Sequence, residues 1–427
     1  MGLAILLGIF ALLTVVGVPV AFALGMAAIS AFWYEGLPLM IGFQRIVAGM
    51  STFSLLAIPF FIFAGELMLH GGIAARLIRL ASASVGWMRG GLGQVNVFSS
   101  MLFGGISGSA VADVSALGSL LIPVMKEKGY DDDYAVNVTV SSSIAGIMIP
   151  PSHNMILYVV AAGGGISVAS LFIAGIVPGI LMCLMLGFVA RWIAIRRNFP
   201  TEQFAGWRFV FVAFIASFPG LITAIIVVGG ALSGIFTVTE SGAIGALYAI
   251  VITGFVYRSL SLKDFWIAVI RSVKTTGMVM ILVGCAGAFG YMLALYEVPK
   301  VLASALTSVS DNPIVIFLLM NLILLLLGMI MDMAALILIC TPIFLPVAVS
   351  LGMDPVQFGI MLMMNLGLGL CTPPVGGCLF VGCAIGEVPI QRAVKSIWPF
   401  YLAMLAALML VTYIPAVSMT LPSWINP

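Results

Sequence analysis

The stretch GISGSAVADVSALGSLLIPVMKEKGYDDDYAVNVTVSSSIAGIMIPP, residues 105–151, has a counterpart in GMIMDMAALILICTPIFLPVAVSLGMDPVQFGIMLMMNLGLGLCTPP, residues 328–374. The glycines and prolines keep their spacing without a gap, because Gly105 and Gly328 are 223 residues apart, as are Pro150-Pro151 and Pro373-Pro374. Each copy is an apolar run broken by a glycine-rich hinge and then by a proline pair. Interrupted apolar segments in corresponding positions of two halves predict the binding site of a membrane transporter.

The composition excludes a soluble globular chain. Hydrophobic residues make up 63% of the 427 positions and charged residues 7%, where soluble domains carry about 25%. A net charge of +2 does not favour a nucleic-acid partner. The first apolar run has no basic n-region or small-residue cleavage site, so we interpret it as a mature membrane helix. The six cysteines lack metal-type spacing and are interpreted as small buried hydrophobes: Cys183, Cys285, Cys340, Cys371, Cys378 and Cys383.

Apolar runs long enough to cross a bilayer predict an all-α polytopic membrane protein built from two inverted repeats. Each repeat has five transmembrane passes and one re-entrant hairpin. The first repeat, 1–200, has passes near 2–16, 18–34, 49–70, 131–162 and 167–195 and a hairpin over 92–127. The second repeat, 201–427, has passes near 209–230, 238–257, 272–295, 355–386 and 394–416 and a hairpin over 313–348.

We divide both repeats into scaffold and mobile parts. Scaffold helices are predicted in 1–70, 209–257 and 272–295, and closing helices in 167–195 and 394–416. The hairpins and broken helices, in 92–165 and 313–386, form the mobile part. Residues 71–89 are amphipathic and predict either a joining arm along the membrane surface or an ordinary interfacial connector.

The positive charges support opposite orientations of the two halves. Placing the 196–208 linker in the cytoplasm leaves only Arg45 and Lys300 on the other side, which is a strong orientation signal. Both termini are then periplasmic or extracellular, the first hairpin opens from the cytoplasm, and the second opens from outside. The predicted cytoplasmic residues are Arg76, Arg79, Arg89, Lys126, Lys128, Arg191, Arg196, Arg197, Arg208, Arg258, Lys263, Arg271, Lys274, Arg392 and Lys395.

Four breaks carry the predicted chemistry: residues 104–109, 149–154, 328–332 and 371–377. Backbone groups in hydrocarbon must be satisfied, so unwound segments survive where they line a cavity or hold an ion. Proline frees carbonyl groups that can coordinate a cation. A half-helix that starts after a proline pair presents free N–H groups to an anion. The alternative, that the breaks are packing kinks, is weakened by four of them occurring in register.

The two hairpins each predict one carboxylate near the tip. Asp113 follows Ser109 by one helical turn, and Asp332 occupies the position that matches Ser109 in the second copy. A carboxylate at membrane depth either protonates or pairs with a cation, and hard oxygen ligands suit sodium. For any single Ser, a hydrogen bond back to its own helix is the simpler explanation. The predicted sodium-binding residues are Gly105, Ser107, Ser109, Asp113, Ser142, Ile149, Gly328, Met331, Asp332, Gly369 and Thr372.

The breaks also predict an anion site without a salt bridge, since no Lys or Arg falls at mid-membrane. Half-helix N–H groups would meet a carboxylate there, although His153 could equally make a structural contact. Glu66 could simply lie at the interface, and Glu240 could be a helix cap. The predicted substrate-binding residues are Ser152, His153, Asn154, Pro374, Val375 and Gly376.

Three rival functions stay open at this point. A proton-coupled carrier would use Asp113 and Asp332 as its relay. An enzyme would use the G-x-S-G of residues 105–108 with His153 as base, but the second copy has neither Ser nor His at these positions. A passive channel would not need a matched pair of hairpins.

The chain resembles the large membrane subunit of the tripartite ATP-independent periplasmic (TRAP) transporters, the DctM-like family. The resemblance covers nearly the whole chain in family order. It is carried by GVPVAFALG at 17–25, IPFFIFAG at 58–65, SGSAVAD at 107–113, IPPS at 149–152, GIFTVTE at 234–240 and TPPVG at 372–376.

The resemblance implies an elevator-type importer of carboxylates in the bacterial or archaeal inner membrane, with sodium as coupling ion and no other cofactor. It also implies a small four-helix membrane subunit (DctQ-like) and a periplasmic substrate-binding protein (DctP-like). No four-helix segment precedes residue 1, so we expect the small subunit to be a separate chain. Relatives commonly have proline where Val238 stands, and Ile-Pro where His153-Asn154 stand. The latter departure affects the expected substrate.

Overall fold

The computed structural model describes residues 1–425, and within that range every regular element is helical. Short 3₁₀ and π turns at Phe53–Leu56 and Ile252–Val256 join neighbouring helices. The helices are α1 Gly2–Val15, α2 Val20–Tyr34, α3 Leu39–Met50, α4 Ala57–His70, α5 Ile73–Val85, α6 Gly91–Ser107, α7 Ala110–Glu127, α8 Asp132–Ser142, α9 Ala145–Met148, α10 His153–Ala161, α11 Val168–Arg196, α12 Trp207–Leu232, α13 Val238–Val251, α14 Leu262–Leu295, α15 Val298–Val309, α16 Pro313–Gly328, α17 Met333–Ser350, α18 Pro355–Leu370, α19 Gly377–Gly386, α20 Ile390–Ser396, α21 Trp398–Tyr413 and α22 Pro415–Ile425.

Six of these helices, some with their adjoining turn, are long and apolar enough to cross a membrane, and nine spans result if each sharply bent pair counts as one. The chain is therefore all-α and polytopic, as the sequence predicts. The opposite orientation of the two halves stays a prediction, although helix boundaries recur at the repeat spacing. For example, α7 begins at Ala110 and α17 at Met333, and α7 ends at Glu127 and α17 at Ser350.

Both proline pairs interrupt helices, as predicted. Residues 149–152 separate α9 from α10, and the two parts of this span differ in direction by 54°. Residues 371–376 separate α18 from α19 in the second half. We call these the first break and the second break. Because proline has no N–H and its ring collides with the preceding turn, neither α-helix can continue through the pair.

Two consecutive helix pairs form hairpins: α6 with α7, the first hairpin, and α16 with α17, the second hairpin. The first tip contains fewer non-helical residues than the predicted break at 104–109. Helix α6 continues through Ser107, and only Gly108 and Ser109 lie outside helices. Gly108 has φ 60°, a left-handed conformation that glycine adopts without steric cost. At equivalent positions Ser109 caps α7 and Asp332 caps α17 with a side-chain oxygen.

The helices pack as two groups. In one group α14 packs against α2, α3 and α4, and α13 packs against α4 and α12. In the other, each hairpin contacts the half-helix of the opposite half, α7 against α19 and α17 against α10. The two breaks and two hairpin tips thus belong to one helix assembly, with α4, α5, α12, α14 and α15 along its side.

Several boundaries differ from the predicted passes. The predicted pass at 49–70 is interrupted between Met50 and Ala57, and the pass at 272–295 extends back to Leu262. The pass at 394–416 is divided among α20, α21 and α22. Helices α3, α15 and α22 lie outside the passes predicted from the sequence or only at their ends. Short apolar helices bounded by prolines resemble pieces of a longer run, so hydrophobicity alone did not separate them.

The predicted arm contains one helix, α5, which packs on α6 and α12. Arg76 donates to the Gly72 carbonyl at 2.9 Å, and its guanidinium lies 3.8 Å from the centre of the Tyr257 ring. The ring contact holds the start of α5 against Tyr257, which follows the π turn after α13. The position of α5 along the membrane surface stays a prediction.

A glycine contact allows α16 and α18 to approach closely. A Cβ at Gly369 would lie 2.5 Å from the carbonyl carbon of Gly328, so Gly369→Ala must push the second hairpin away from the helix before the second break. We expect Gly369→Ala to lower unfolding stability by about 1–3 kcal/mol, as overpacked cores do. The measurement is thermal unfolding of the purified protein in detergent.

Gly290→Ala is the matched control for Gly369→Ala. Gly290 lies inside α14 with no atom within 4 Å of its Cβ position, so this variant should unfold at or slightly above the wild-type temperature. Equal unfolding temperatures for the two variants would contradict the close-contact explanation.

Candidate functional site

A cavity of about 300 Å³ lies where both hairpin tips meet the first break, and we call it the central cavity. Its polar residues come from four elements. Ser109 belongs to the first tip, His153 and Asn154 begin α10, Asp332 caps α17, and Thr275 lies on α14. Apolar side chains from α7, α14 and α17 complete the lining, including Val111, Met278, Leu282 and Met333. The fold thus joins residues that are more than 200 positions apart in the chain.

The central cavity can accept a small anion without a fixed positive charge. Among the described residues that line it, none is Lys or Arg, and Asp332 is its only acid. An imidazole, a carboxamide and two hydroxyls supply neutral hydrogen-bonding groups. In addition, α10 begins at His153, so its first N–H groups and the positive end of its dipole lie at the lining.

The strongest candidate for a cation site lies behind the first tip. Asp113 is 1% exposed, and neither carboxylate oxygen has a hydrogen-bond partner within residues 1–425. The hydroxyl of Ser107 is also buried without a partner. A Cβ at Gly146 would lie 3.4 Å from Ser107 Oγ, 3.4 Å from the Ser109 carbonyl oxygen and 3.6 Å from Asp113 Cβ, so these groups surround one glycine surface.

This arrangement fits an oxygen-liganded monovalent cation. Burying an ionised carboxylate without a partner is costly, and a bound cation would offset that cost. Carboxylate, hydroxyl and carbonyl oxygens are hard ligands. No group of three or more His, Cys, Asp or Glu side chains suited to a transition metal occurs in the described part of the chain.

Below Asp113, buried polar residues connect the first hairpin to α8. The hydroxyls of Ser100 and Ser142 are 3.0 Å apart, Ser142 donates to Asn96 Oδ1 at 3.3 Å, and Asn96 Nδ2 donates to Thr139 Oγ1 at 2.5 Å. Ser142, a predicted sodium ligand, therefore has protein partners. Its hydroxyl helps to hold α6 against α8.

The second hairpin tip differs from the first. Asp332 is exposed to the central cavity and accepts a hydrogen bond from the Ala334 N–H at 2.9 Å. Thr372, just after α18, donates to the Leu368 carbonyl at 2.8 Å, a local bond to the residue four positions earlier. The Val375 N–H donates to the Met329 carbonyl at 3.0 Å and fastens the second break to the second tip.

Other predicted site residues lie around the cavities without lining them. Ser152 is buried and donates to the Gly108 carbonyl at 3.5 Å, which ties the first break to the first tip. Gly105 and Ile149 are close neighbours at the same junction, and Gly328 packs against Gly369 in the second half. Met331, Pro374, Val375 and Gly376 lie outside the lining of the central cavity. Their binding roles stay predictions.

Glu240 has a structural role. Its carboxylate accepts from the Thr237 N–H at 2.7 Å, while its own N–H donates to the Thr237 hydroxyl at 3.2 Å. This reciprocal pair starts α13 as a capping box.

The six cysteines are buried with free thiols, as predicted from the sequence.

A second cavity of about 280 Å³ shares Ser109, His153 and Thr275 with the central cavity. It runs between the first hairpin and α4, where it is lined by Ser115 and Glu66 among others. We call it the exit cavity, because it leaves the central cavity toward the side predicted to be cytoplasmic. Thr275 is not among the residues predicted from the sequence. The polar pair Thr275-Thr276 within the apolar α14 indicates such a position.

The chain matches a known family of transporter components over most of its length. The sequence model described as "Tripartite ATP-independent periplasmic transporter, DctM component" matches residues 7–417. The chain is 36% identical over 412 residues to the 2,3-diketo-L-gulonate TRAP transporter large permease protein YiaN of Escherichia coli, covering 96% of each chain. It is 36% identical over 436 residues to the C4-dicarboxylate TRAP transporter large permease protein DctM of Rhodobacter capsulatus, covering 99% of each.

Among solved structures, the Alcanivorax borkumensis YdaH transporter superimposes with a TM-score of 0.64 over 91% of this chain and 89% of that chain. Sequence identity is 16%, so the similarity concerns the fold. The same helical architecture therefore occurs in a membrane transporter of distant sequence.

The buried carboxylate gives a stability prediction. We expect Asp113→Asn to unfold at a higher temperature than the wild type in sodium-free choline chloride, because a neutral amide costs less to bury than an unpaired carboxylate. In sodium chloride the order should reverse, because the wild type gains the binding free energy of the ion. Thermal scans of intrinsic fluorescence in both salts measure the difference.

Asp264→Asn is the control for Asp113→Asn. Asp264 lies in the exposed first turn of α14 and accepts a hydrogen bond from Ser261, so its replacement should leave the sodium response unchanged. A sodium response in Asp113→Asn equal to that of the wild type would remove Asp113 from the cation site.

Proposed function

Since the chain belongs to the DctM component family of tripartite ATP-independent periplasmic transporters, we propose that it is the large membrane subunit of a sodium-coupled importer of small organic anions. The observation that carries this proposal is the central cavity. Neutral polar groups and a helix start line it, and a buried carboxylate without a partner lies directly behind it. Such a pair of sites suits an anion that enters together with cations.

We propose sodium binding at both tips, with unequal ligand sets. At the first tip, Asp113, Ser107 and the Ser109 carbonyl surround one space beside Gly146. At the second tip, Asp332 is the only acid of the central cavity, and a sodium ion on it would remove its repulsion of an anionic substrate. Gly105, Ile149, Gly328, Met331, Gly369 and Thr372 would supply backbone or hydroxyl oxygens nearby.

The transported anion is proposed to be a carboxylate. The names of two relatives specify 2,3-diketo-L-gulonate and C4-dicarboxylates, which share carboxylate groups. His153 and Asn154 would hydrogen-bond the substrate, and the N–H groups at the start of α10 would receive its charge. The enzyme alternative loses support because the matched relatives are permeases.

An elevator motion is proposed for the assembly of hairpins and breaks. Both tips and both breaks belong to that assembly, whereas α4 and α14 belong to the neighbouring group, and the central cavity lies between the two, with Met278 and Leu282 of α14 in its lining. At their contact, a Cβ on Gly65 would lie 3.2 Å from the Ile106 carbonyl oxygen, so α4 and α6 approach closely there. The surrounding contact is apolar, within a cluster that includes Leu67 of α4 and Phe103 of α6, and apolar contacts are non-directional, which favours sliding between the two groups.

The complex is proposed to contain a separate small four-helix membrane subunit and a periplasmic substrate-binding protein, in the inner membrane with both termini periplasmic. The family name specifies a tripartite system, which supports two further components. With two sodium ions and a monovalent anion, one net positive charge would enter per cycle. Each 100 mV of membrane potential would then contribute about 2.3 kcal/mol to accumulation.

A proton-coupled carrier is the second candidate, because the unpartnered carboxylate of Asp113 would also be stable when protonated. The two candidates differ in their driving ion. In a proton-coupled carrier, uptake would follow a pH gradient in sodium-free buffer, and Asp113→Asn would not change the sodium dependence of unfolding.

Reconstitution with the proposed partner proteins tests the proposal. We expect proteoliposomes to accumulate labelled 2,3-diketo-L-gulonate or succinate only with an inward sodium gradient, and to carry inward positive current with the monovalent 2,3-diketo-L-gulonate. Accumulation without sodium would contradict sodium coupling. Failure to transport either carboxylate, although the assembled complex is folded, would contradict the proposed substrate class.

Asp332→Ala tests the second tip in the same assay. We expect it to reduce sodium-driven uptake at least about tenfold, since a ligand charge at the cavity is worth more than about 1.4 kcal/mol. Asp354→Ala is the matched control, because Asp354 caps α18 as Asp332 caps α17 but does not line the central cavity. Equal uptake by the two variants would remove Asp332 from the site.

A further inference from the structure

The exit cavity ends at a group of charged residues that the proposed transport cycle has not used. Glu66, on the last turns of α4, lines this cavity opposite Ser115 of α7. Behind Glu66 lie His70, one turn later on α4, and Arg271 on α14. Because all three residues lie on the side predicted to be cytoplasmic, an anion that leaves the central cavity by this route must pass them.

The three side chains are close together but loosely paired. Arg271 Nη1 lies 3.4 Å from His70 Nε2 and 4.0 Å from Glu66 Oε2, while His70 Nε2 lies 3.5 Å from the same oxygen. Glu66 Oε2 is buried and has no hydrogen-bond partner within residues 1–425. A carboxylate–guanidinium pair at full strength has N–O distances of about 2.7–2.9 Å, so this pair is far from its optimum.

Two other arginines on the side predicted to be cytoplasmic have close partners. Arg197 donates to Asp131 and Asp133 at 2.8 Å each, and Arg76 lies over the Tyr257 ring. Arg271 has 56% of its side chain exposed and makes only the long contacts just described. Its planar set of N–H donors is therefore available to a second carboxylate.

We propose that Arg271, positioned by His70, is a transient binding site for the carboxylate of the outgoing substrate, and that Glu66 competes for the same guanidinium. The inference rests on the proposed function, since it assumes an anion that enters the cytoplasm through the exit cavity. Neither the central cavity nor the exit cavity has a Lys or Arg in its described lining, and Arg271 reaches the exit cavity through Glu66, whose Oε2 lies 4.0 Å from Arg271 Nη1.

The loose pairing explains how one site can both attract and release an anion. The guanidinium lowers the electrostatic cost of moving the substrate carboxylate past Glu66, whose charge would otherwise repel it. Once the substrate has bound, Glu66 can return to Arg271 and replace it, so the guanidinium keeps a carboxylate partner throughout the exchange. A tighter pair of Glu66 and Arg271 would neutralise more of the guanidinium charge and leave fewer N–H donors for the substrate.

The first test uses a chemical probe and needs no transport. We expect p-hydroxyphenylglyoxal, which modifies free guanidinium groups, to react with Arg271 faster than with Arg197, measured by peptide mass spectrometry on the purified complex. Millimolar succinate should slow modification of Arg271 about threefold or more, as a bidentate ion pair would. It should not slow modification of Arg258, an exposed arginine outside both cavities.

Glu66→Gln tests the competition for Arg271, because it removes the competing carboxylate and keeps the side-chain size. We expect lower concentrations of succinate to protect Arg271 in this variant than in the wild type. Equal protection of Arg271 and Arg258, or no protection of either, would overturn the binding site. Unchanged protection in Glu66→Gln would overturn the competition.

The second test is transport by Arg271→Gln, with Lys274→Gln as matched control. Lys274 is exposed on the same helix but, unlike Arg271, has no ion pair or hydrogen bond with Glu66 or His70 among the described residues, and both variants lose one positive charge. We expect sodium-driven uptake to fall about tenfold in Arg271→Gln and to stay within about twofold of wild type in Lys274→Gln. The sodium response of thermal unfolding should be unchanged in both, which shows that the cation sites are intact.

The outcomes separate the inference from the proposed function. Sodium-driven uptake that is equal in the two variants would overturn the exit site and leave the transporter assignment standing. Absence of wild-type uptake, with Arg271 still protected selectively by succinate, would contradict the transport proposal and support the carboxylate site. If Arg271→Gln does not fold, Arg271→Lys, which keeps the charge but cannot bind in a bidentate manner, should show intermediate uptake.

Discussion

Unpaired backbone groups in hydrocarbon cost several kcal/mol each, and the rest of this structure depends on how that cost is met at four places. The two proline pairs interrupt helices, and the two hairpin tips turn between helices. Contacts between tips and breaks satisfy part of the exposed backbone. The Val375 N–H binds the Met329 carbonyl in the second half, and the Ser152 hydroxyl binds the Gly108 carbonyl in the first. Ser109, His153, Asn154 and Asp332, which also lie at tips and breaks, line the central cavity.

The two halves have different side chains at their hairpin tips, and the difference has a functional consequence. Ser109 and Asp332 occupy equivalent positions and cap equivalent helices. The first half keeps its carboxylate one turn deeper, at Asp113, where protein surrounds it. The second half exposes Asp332 to the central cavity. A cation at the first tip would be enclosed, whereas a cation at the second tip would share its surroundings with the substrate.

Helix α14 connects the cavities to the neighbouring helix group. Thr275 lines both cavities, and Arg271 lies one turn earlier on the same helix. The lining of both cavities therefore comes from both helix groups. Because Glu66 and Arg271 belong to α4 and α14 while Asp332 belongs to the second hairpin, a relative movement of the two groups would change which charges lie near the central cavity.

The sequence alone determined the helical membrane class, the family and the places where helices break, because hydrophobic runs and proline pairs act locally. It also identified Ser109, His153, Asn154 and Asp332, which the fold gathers at one cavity. Only the tertiary structure decided which candidates meet there. Thr275 of α14 also lines the cavity, while residues 374–376 do not. It alone brought Glu66, His70 and Arg271 together, because a contact between helices separated by 200 residues depends on packing, and packing leaves no periodic mark in the sequence.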